Sequence, residues 1–198
     1  YYSKGEVMAA GIILASRSPR RLDILRQHGI EPVVLPQDAD ETLPDGISPE
    51  EAVIQLALVK ARACLRAINK EQFSDYYIIG SDTLVYKDKI MGKPLNREDA
   101  FRMLSSIRNC EHYVTTGVAV INVSSGEENA LSAVTKVYCK DYSDDDIYKY
   151  IDEEQPFDKA GAYAIQGPFG KYIDHIEGDY DNVVGLPFRL VEELLEKL

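Results

Sequence analysis

Short apolar runs alternate with amphipathic stretches along the chain, which predicts buried strands interleaved with helices. The run over residues 11–15 (GIILA) is typical of a buried strand. A helix start follows at Ser18 and Pro19, because Ser favours the N-cap and Pro favours the first helical position. Gly29 is expected to end this helix, and a second strand is expected over residues 33–35.

Three further helices are marked by residues that cap a first turn. Ser48 and Glu51 form a capping box, Asn96 precedes a stretch with one apolar face, and Ser143 begins another amphipathic stretch. A final amphipathic helix is expected from Leu186. The helix that begins at Ser48 is expected to run to about Asn69, and the other two carry inward-facing apolar residues as far as Ile107 and Ile151, respectively.

Strand-like segments lie between these helices, and some of them are neighbours along the chain. They are expected over residues 76–80, over residues 85–91 as a hairpin, and over residues 114–123 and 130–140. Hairpins place antiparallel strands in a sheet that also has helical crossovers. The pattern therefore predicts an α/β fold with a mixed, twisted sheet flanked by helices, and not a regular doubly wound fold.

The chain length of 198 residues suits one compact domain, or two small lobes that share a cleft. We expect a single domain over residues 11–198, with residues 1–10 as an N-terminal extension or a cloning remnant. No apolar run approaches the roughly 20 residues that span a bilayer. The first ten residues also lack the basic and apolar regions of a signal peptide, so we expect a cytoplasmic protein without a membrane partner.

Cysteine content and charge narrow the classes of function. The three cysteines have no CxxC spacing, which favours neither disulfides nor a zinc site and suggests a reducing compartment. The formal net charge of -11 argues against general nucleic-acid binding, which needs a basic face. It does not argue against a small phosphorylated ligand, because a local group of cations and a metal ion are enough to bind one.

Candidate phosphate contacts lie in three places. Arg20 and Arg21 fall in the first turn of a predicted helix, where cations are unfavourable unless an anion docks there. The alternative is a pair of solvated arginines. Lys60 lies within an apolar helical stripe, so its ammonium either reaches solvent along the surface or borders a cleft that holds an anion. Lys93 lies in a tight Gly-Lys-Pro loop before a capped helix.

Candidate acidic groups follow a predicted strand and occupy a polar loop. Asp82 lies in Gly-Ser-Asp-Thr after the apolar run at residues 76–80, a position suited to a metal ligand or a general base, although a turn Asp is the alternative. The loop with Asp38, Asp40 and Glu41 offers a second carboxylate or is simply solvated. Mg²⁺ needs few carboxylates, because water and phosphate oxygens fill its remaining positions.

Gln166 is the candidate for base recognition. It ends the segment PFDKAGAYAIQG, and a buried Gln there would offer both a donor and an acceptor to the edge of a base. A turn containing Gly167 and Pro168 is the alternative explanation for this segment.

Taken together, these segments resemble the Maf family, whose members are similar in fold to the inosine-triphosphate pyrophosphatases. The resemblance extends from Ile12 to about Leu194 in several ordered motifs. It implies a central cleft between two lobes, cleavage of a nucleoside triphosphate to the monophosphate and pyrophosphate, and a homodimer. The motifs are ILASRSPRR, Asp40-Glu41, LALVKARA, IIGSDTLV, GKP, HYVTTGV, PFDKAGAYAIQG and GDYDNVVGLP.

The resemblance also implies roles for individual residues. Asp82 matches the family's proposed general base, and Asp82 with Glu41 would hold a divalent cation, Mg²⁺ or Mn²⁺. Three marker positions match the family branch that prefers dTTP and UTP, and further polar residues match the lining of the family's cleft. The markers are Arg20, Thr83 and Gln166, and the lining residues are Ser16, Arg21, Glu41, Lys60 and Lys93.

Some positions depart from the usual pattern of that branch. Ser81 replaces the more frequent Ala, Ala164 stands where Gly is usual, and Asp40-Glu41-Thr42 is as similar to the sister branch that acts on 7-methyl-GTP. The alternatives are therefore a pyrophosphatase for 7-methyl-GTP or inosine triphosphate, and a non-catalytic nucleotide-binding regulator of cell division.

Overall fold

The computed structural model describes residues 10–198, so most of the expected N-terminal extension lies outside the described residues. A seven-stranded mixed sheet forms the centre of the fold, in the order β2-β1-β3-β5-β6-β7, with β4 paired to β3. Strands β2, β1 and β3 are parallel, and the other pairs are antiparallel. The strands are β1 (Gly11–Leu14), β2 (Val33–Val34), β3 (Tyr76–Tyr86), β4 (Ile90–Met91), β5 (Glu111–Asn122), β6 (Glu128–Cys139) and β7 (Ile173–Glu177).

Helices cover the sheet, which confirms the predicted mixed α/β fold. The expected caps at Ser48, Asn96 and Ser143 each accept a hydrogen bond from a first-turn N–H group. Ser18 occupies its predicted N-cap position, but its side chain accepts no such bond, so that capping prediction was wrong. The helices are α1 (Pro19–Gln27), α2 (Pro49–Ala67), α3 (Arg97–Ile107), α4 (Asp144–Glu154), α5 (Tyr180–Val184) and α6 (Phe188–Leu195), with short 3-10 turns between α4 and β7.

Strand β3 is longer than expected, and this changes the position of Asp82. The polar residues after Gly80 suggested the end of a strand, but β3 continues to Tyr86 and pairs with β5 over that whole length. Asp82 therefore lies within a strand and not at its end. The glycine is required for another reason, because a Cβ on Gly80 would come within 2.3 Å of the carbonyl oxygen of Ala57 in α2.

Helix α2 lies directly on one face of the sheet because glycines allow it to do so. A Cβ on Gly117 of β5 would come within 2.2 Å of the Val53 carbonyl oxygen, as close an approach as the one at Gly80. Small residues on the helix, Ala57 and Ala61, are fully buried at this contact. The close packing brings the middle of α2 next to the middle of β3.

The remaining apolar side chains form two further clusters. One cluster lies on the opposite face of the sheet and joins α1 and α6 to β1, β3 and β5. The other joins α3, α4 and the 3-10 turns to the far ends of β3, β5 and β6. The division of residues 11–198 into two lobes stays a prediction. No helix within residues 10–198 is long and apolar enough to cross a membrane.

A gap lies along one edge of β3, between its pairing with β1 and its pairing with β4. Strand β1 pairs with β3 over residues 76–79, and β4 pairs with it over residues 85–86. Residues 80–84, between these two stretches, are paired to β5 on their other side. The two strands that follow β1 in the chain, β2 and β3, lie on opposite sides of β1 in the sheet. Ligands commonly bind beyond the carboxyl ends of parallel strands where the strand order reverses in this way.

Candidate active site

An open cleft of about 390 Å³ occupies this gap. The β1–α1 connection borders one end of it, Lys93 borders another, and the middle of β3 forms its floor. The structure brings the predicted site residues to this one cleft, except for the loop carboxylates Asp38 and Asp40. The residues brought together are Ser16, Arg20, Arg21, Glu41, Lys60, Asp82, Thr83, Lys93 and Gln166.

Asp82 and Lys60 form the most enclosed ion pair of the cleft. The Lys60 ammonium donates to Oδ1 of Asp82, and the two side chains are only 17% and 14% exposed. Oε1 of Glu41, which is itself exposed, lies 3.4 Å from the same ammonium. Lys60 therefore borders the cleft, which was one of the two alternatives, and its charge lies between two carboxylates.

The positions of these two carboxylates show whether the site suits the divalent metal that the resemblance implies. Glu41 and Asp82 both approach the Lys60 ammonium, so their oxygens can converge on one cation. No group of three His, Cys, Asp or Glu side chains able to hold a metal occurs in the described part of the chain. Mg²⁺ commonly uses one or two carboxylates and shares substrate phosphates, so the two acidic residues fit that donor set.

Arg21 is held by three groups on the other side of β3. Its Nε donates to the Gly185 carbonyl oxygen at 2.8 Å, Nη1 to Ser16 Oγ at 3.0 Å and Nη2 to Thr83 Oγ1 at 3.1 Å. Burial lowers the pKa of the guanidinium below its usual value, and the Asp82 carboxylate opposes this effect. The guanidinium stays charged at neutral pH because its ordinary pKa is so high.

Successive residues of β3 point to opposite faces of the sheet, and this separates the two halves of the cleft. Asp82 faces α2 and pairs with Lys60, whereas Ser81 and Thr83 face Gly185 and Arg21. Ser81, one of the departures from the family pattern, is fully buried and donates to the Gly185 carbonyl oxygen at 3.1 Å. Its hydroxyl is thereby satisfied inside the protein.

The other candidate residues lie around the rim. Arg20 is half-buried, whereas Lys93 and Gln166 are exposed. The expectation of a buried Gln at position 166 was wrong, because the turn in which Gly167 donates to the Ala164 carbonyl oxygen carries Gln166 outward. Its amide nevertheless lines the cleft, with both its donor and its acceptor available.

The sequence did not single out three other lining residues, Asp158, Lys159 and Tyr163. Lys159 is 17% exposed and donates to Asp158 at 2.6 Å, so its charge is partly neutralised at the rim. The hydroxyl of Tyr163 lies 2.7 Å from Nε2 of His112, which is fully buried. The segment PFDKAGAYAIQG contained the signal for all three, but only its glutamine was singled out.

The other carboxylates of the Glu41 loop and the two buried cysteines do not line the cleft. Asp38 pairs with Arg17 at 2.9 Å and Asp40 accepts from Thr42, and Glu41 is the one acidic residue of that loop that lines the cleft. Cys64 and Cys139 are buried free thiols, as expected for inert cysteines. Burial raises their pKa values to about 11 and about 12, respectively, which opposes thiolate formation.

Comparison with known proteins gives a consistent result over the described domain. A family model described as Maf-like protein matches residues 11–198. The chain is 41% identical over 187 residues to a dTTP/UTP pyrophosphatase of Acetivibrio thermocellus, covering 93% of this chain and 94% of the relative. Proteins of the same name are 43% identical in Caldicellulosiruptor bescii, covering 94% of both chains, and 44% identical in Desulforamulus reducens, covering 93% of this chain and 94% of the relative.

Proposed function

The chain belongs to the Maf family, and from this premise we propose that it is a nucleoside triphosphate pyrophosphatase acting on dTTP and UTP. The products are the nucleoside monophosphate and pyrophosphate. The observation that carries the proposal is a single cleft in which an acidic pair, Glu41 and Asp82, adjoins the cations Arg20, Arg21 and Lys93. A triphosphate with a bound cation has the complementary distribution of charge.

Asp82 is the proposed general base. It is fixed within β3 and is largely enclosed, so its carboxylate has a defined direction into the cleft. A water molecule attacks the α-phosphorus, its proton passes to Asp82, and the bond from the α-phosphorus to the bridging oxygen breaks. Pyrophosphate leaves with the bonding electrons, and Asp82 returns the proton to solvent.

Lys60 donates to Oδ1 of Asp82 and so holds the carboxylate in one orientation. The cations on the other walls, Arg20, Arg21 and Lys93, neutralise the triphosphate and the charge that develops on departing pyrophosphate. Fixed donors of this kind act best where water is partly excluded, as it is beside Arg21.

Glu41 and Asp82 would hold the divalent cation, Mg²⁺ or Mn²⁺. Bound there, such an ion would supply charge neutralisation for the phosphate oxygens and a template for the substrate. Its requirement is tested most directly by removing divalent cations with a chelator and then restoring them one at a time.

The pyrimidine preference is proposed because Arg20, Thr83 and Gln166 match the marker positions of the dTTP/UTP branch. All three border the same cleft as the acidic pair. The exposed amide of Gln166 is suited to the edge of a base at the rim. The three relatives compared above carry the name dTTP/UTP pyrophosphatase, which supports this branch over the 7-methyl-GTP branch.

The proposal includes a homodimer in the cytoplasm that binds neither nucleic acid nor membranes. The net charge of -11 supports the exclusion of polyanions, because binding them needs a basic face that neutralises phosphates. Light scattering coupled to size-exclusion chromatography tests the dimer: a mass near that of one 22.2 kDa chain would contradict it.

The test of function is a product analysis. Purified protein is incubated with dTTP, UTP, CTP, GTP, ITP and 7-methyl-GTP, with Mg²⁺, with Mn²⁺ or with chelator, and products are separated chromatographically. We expect monophosphate and pyrophosphate, formed fastest from dTTP or UTP, and no turnover with chelator. Orthophosphate release, a preference for a purine, or no turnover by folded protein would each contradict the proposal.

A further inference from the structure

A row of buried hydrogen bonds runs from the cleft into the protein behind Thr83. Thr83 and Thr116 are direct partners in the β3–β5 ladder, and their hydroxyl oxygens lie 2.9 Å apart. The hydroxyl of Thr116 lies 2.9 Å from the carbonyl oxygen of Asn182 in α5. Thr116 and Asn182 are both fully buried, and neither lines the cleft.

The chemistry of these groups sets the direction of every proton in the row. A hydroxyl carries one hydrogen, and a carbonyl oxygen only accepts. Thr116 therefore donates to Asn182, and Thr83 donates to Thr116. The Thr83 oxygen in turn accepts from Nη2 of Arg21 at 3.1 Å. The only hydrogen of the Thr83 hydroxyl consequently points away from the cleft.

Asn182 anchors the far end of the row. Its side-chain amide donates to the Val114 carbonyl oxygen at 2.9 Å and to Thr135 Oγ1 at 2.9 Å. These bonds tie α5 to β5 and β6, and so fix the carbonyl oxygen that accepts from Thr116. The Gly185 carbonyl oxygen, just after α5, accepts from Arg21 Nε. One short helix therefore positions the guanidinium through two separate connections.

We propose that Thr83 and Thr116 are positioning residues for Arg21, and that Thr83 affects catalysis through that guanidinium and not by donating to the base. Three of the five N–H groups of Arg21 are engaged by Gly185, Ser16 and Thr83, which leaves two for phosphate oxygens. A guanidinium held in this way needs little ordering when the triphosphate binds. This inference rests on the proposed function only where it is tested by kinetic measurements with nucleotides.

The test compares Thr83→Val with Thr116→Val, which remove hydroxyls inside and outside the cleft, respectively. Two measurements are made: kcat/KM for dTTP, UTP and CTP, and the affinity for inorganic triphosphate by calorimetry. If both residues position Arg21, both variants lower kcat/KM about tenfold for every nucleotide. Thr83→Val removes one hydrogen bond to a charged group, and Thr116→Val removes the acceptor that orients the Thr83 hydroxyl. The ratio of UTP to CTP stays within about twofold of wild type.

Inorganic triphosphate has no base, so it separates positioning from base recognition. Both valine variants should bind it about tenfold more weakly, and Thr83→Ser should recover most of the affinity lost in Thr83→Val. Thermal unfolding checks that each protein is folded. If Thr116→Val does not fold, the comparison of Thr83→Val with Thr83→Ser on inorganic triphosphate decides the question by itself.

Two results would overturn the inference. One is a changed UTP to CTP ratio in Thr83→Val with unchanged binding of inorganic triphosphate, which would make Thr83 a base contact. The other is wild-type kinetics and affinity in folded Thr116→Val. A wild-type protein that binds inorganic triphosphate but hydrolyses no nucleotide would contradict the proposed function, while the binding data would still test the role of Thr83 and Thr116.

Discussion

Lys60 donates to Oδ1 of Asp82, a residue 22 positions further along the chain and on a different element. The contact exists because Gly80 and Gly117 let α2 lie directly on β3 and β5. It places a fixed positive charge beside the proposed base before any substrate arrives.

Replacing Asp82 by Asn removes the proposed base while keeping the shape of the side chain. We expect kcat to fall by roughly 10²-fold or more, the usual range for losing a positioned acid or base. Steady-state kinetics with UTP measure the effect, and Asp38→Asn is the matched control, because Asp38 is an exposed carboxylate in the loop that contains Glu41. Wild-type turnover by folded Asp82→Asn would eliminate Asp82 as the base.

Replacing Lys93 by Ala removes a cation from the rim of the cleft. Lys93 is exposed, so we expect an unchanged fold and a KM for UTP raised about tenfold, through the loss of a contact to a charged group. Lys89→Ala is the control, because Lys89 is an exposed lysine of the neighbouring hairpin outside the cleft lining. Equal effects of the two substitutions would show that only net charge matters.

Buried His112 should make stability depend on pH. Burial, with a smaller effect from Lys87, lowers its pKa from 6.5 to about 4, so the folded protein keeps the imidazole neutral. The unfolded chain binds a proton below pH 6.5 that the folded chain does not bind, so this stability is present above pH 6.5 and is lost as pH falls towards 4. The full loss amounts to about 3 kcal/mol.

Urea unfolding at several pH values between 4 and 7 measures this loss. In His112→Gln the part of the pH dependence that arises from the imidazole should disappear, whereas His175→Gln, at an exposed histidine, should keep it. The Gln side chain can still meet the Tyr163 hydroxyl, which limits the loss of packing. Identical slopes for wild type and His112→Gln would contradict the prediction.

Replacing Gly117 by Ala should move α2 away from the sheet. The new Cβ would meet the backbone of Val53, which cannot rotate aside, so we expect a loss of about 1–3 kcal/mol in the free energy of unfolding. Activity should fall as well, because Lys60 moves with the helix. Gly92→Ala is the control for stability, since a Cβ there has no neighbour within 4 Å. Unchanged stability in Gly117→Ala would show that the helix adjusts freely.

Much of the site could be predicted because its residue types conflict with their local surroundings. Arg20 and Arg21 are unfavourable at a helix start, and Lys60 interrupts an apolar stripe. All three line the cleft. The helix caps at Ser48, Asn96 and Ser143 could also be predicted, because each capping hydrogen bond joins residues that are close together in the chain. Features of this kind depend on neighbours in the chain, which a sequence pattern contains.

The features that could not be predicted leave no distinct pattern in the sequence. Ser18 lacks its capping bond, and the hydroxyl of Ser16 instead accepts from the Ser18 N–H and from Arg21. The polar run after Gly80 resembled a turn, but pairing with β5 extends it as a strand. Helix α5 was missed because its five residues give too short a pattern, although the Asn182 within it anchors the positioning row.

The bonds of Arg21 have a consequence for folding. The guanidinium and its acceptor at Gly185 are 164 positions apart, and Arg21 and Thr83 are 62 apart. Contacts this distant close large loops and form late, since their entropic cost must be met before they stabilise anything. After dilution from denaturant, recovery of enzymatic activity should therefore lag behind recovery of the far-ultraviolet circular dichroism signal, because the sheet can form before α5 docks behind the arginine.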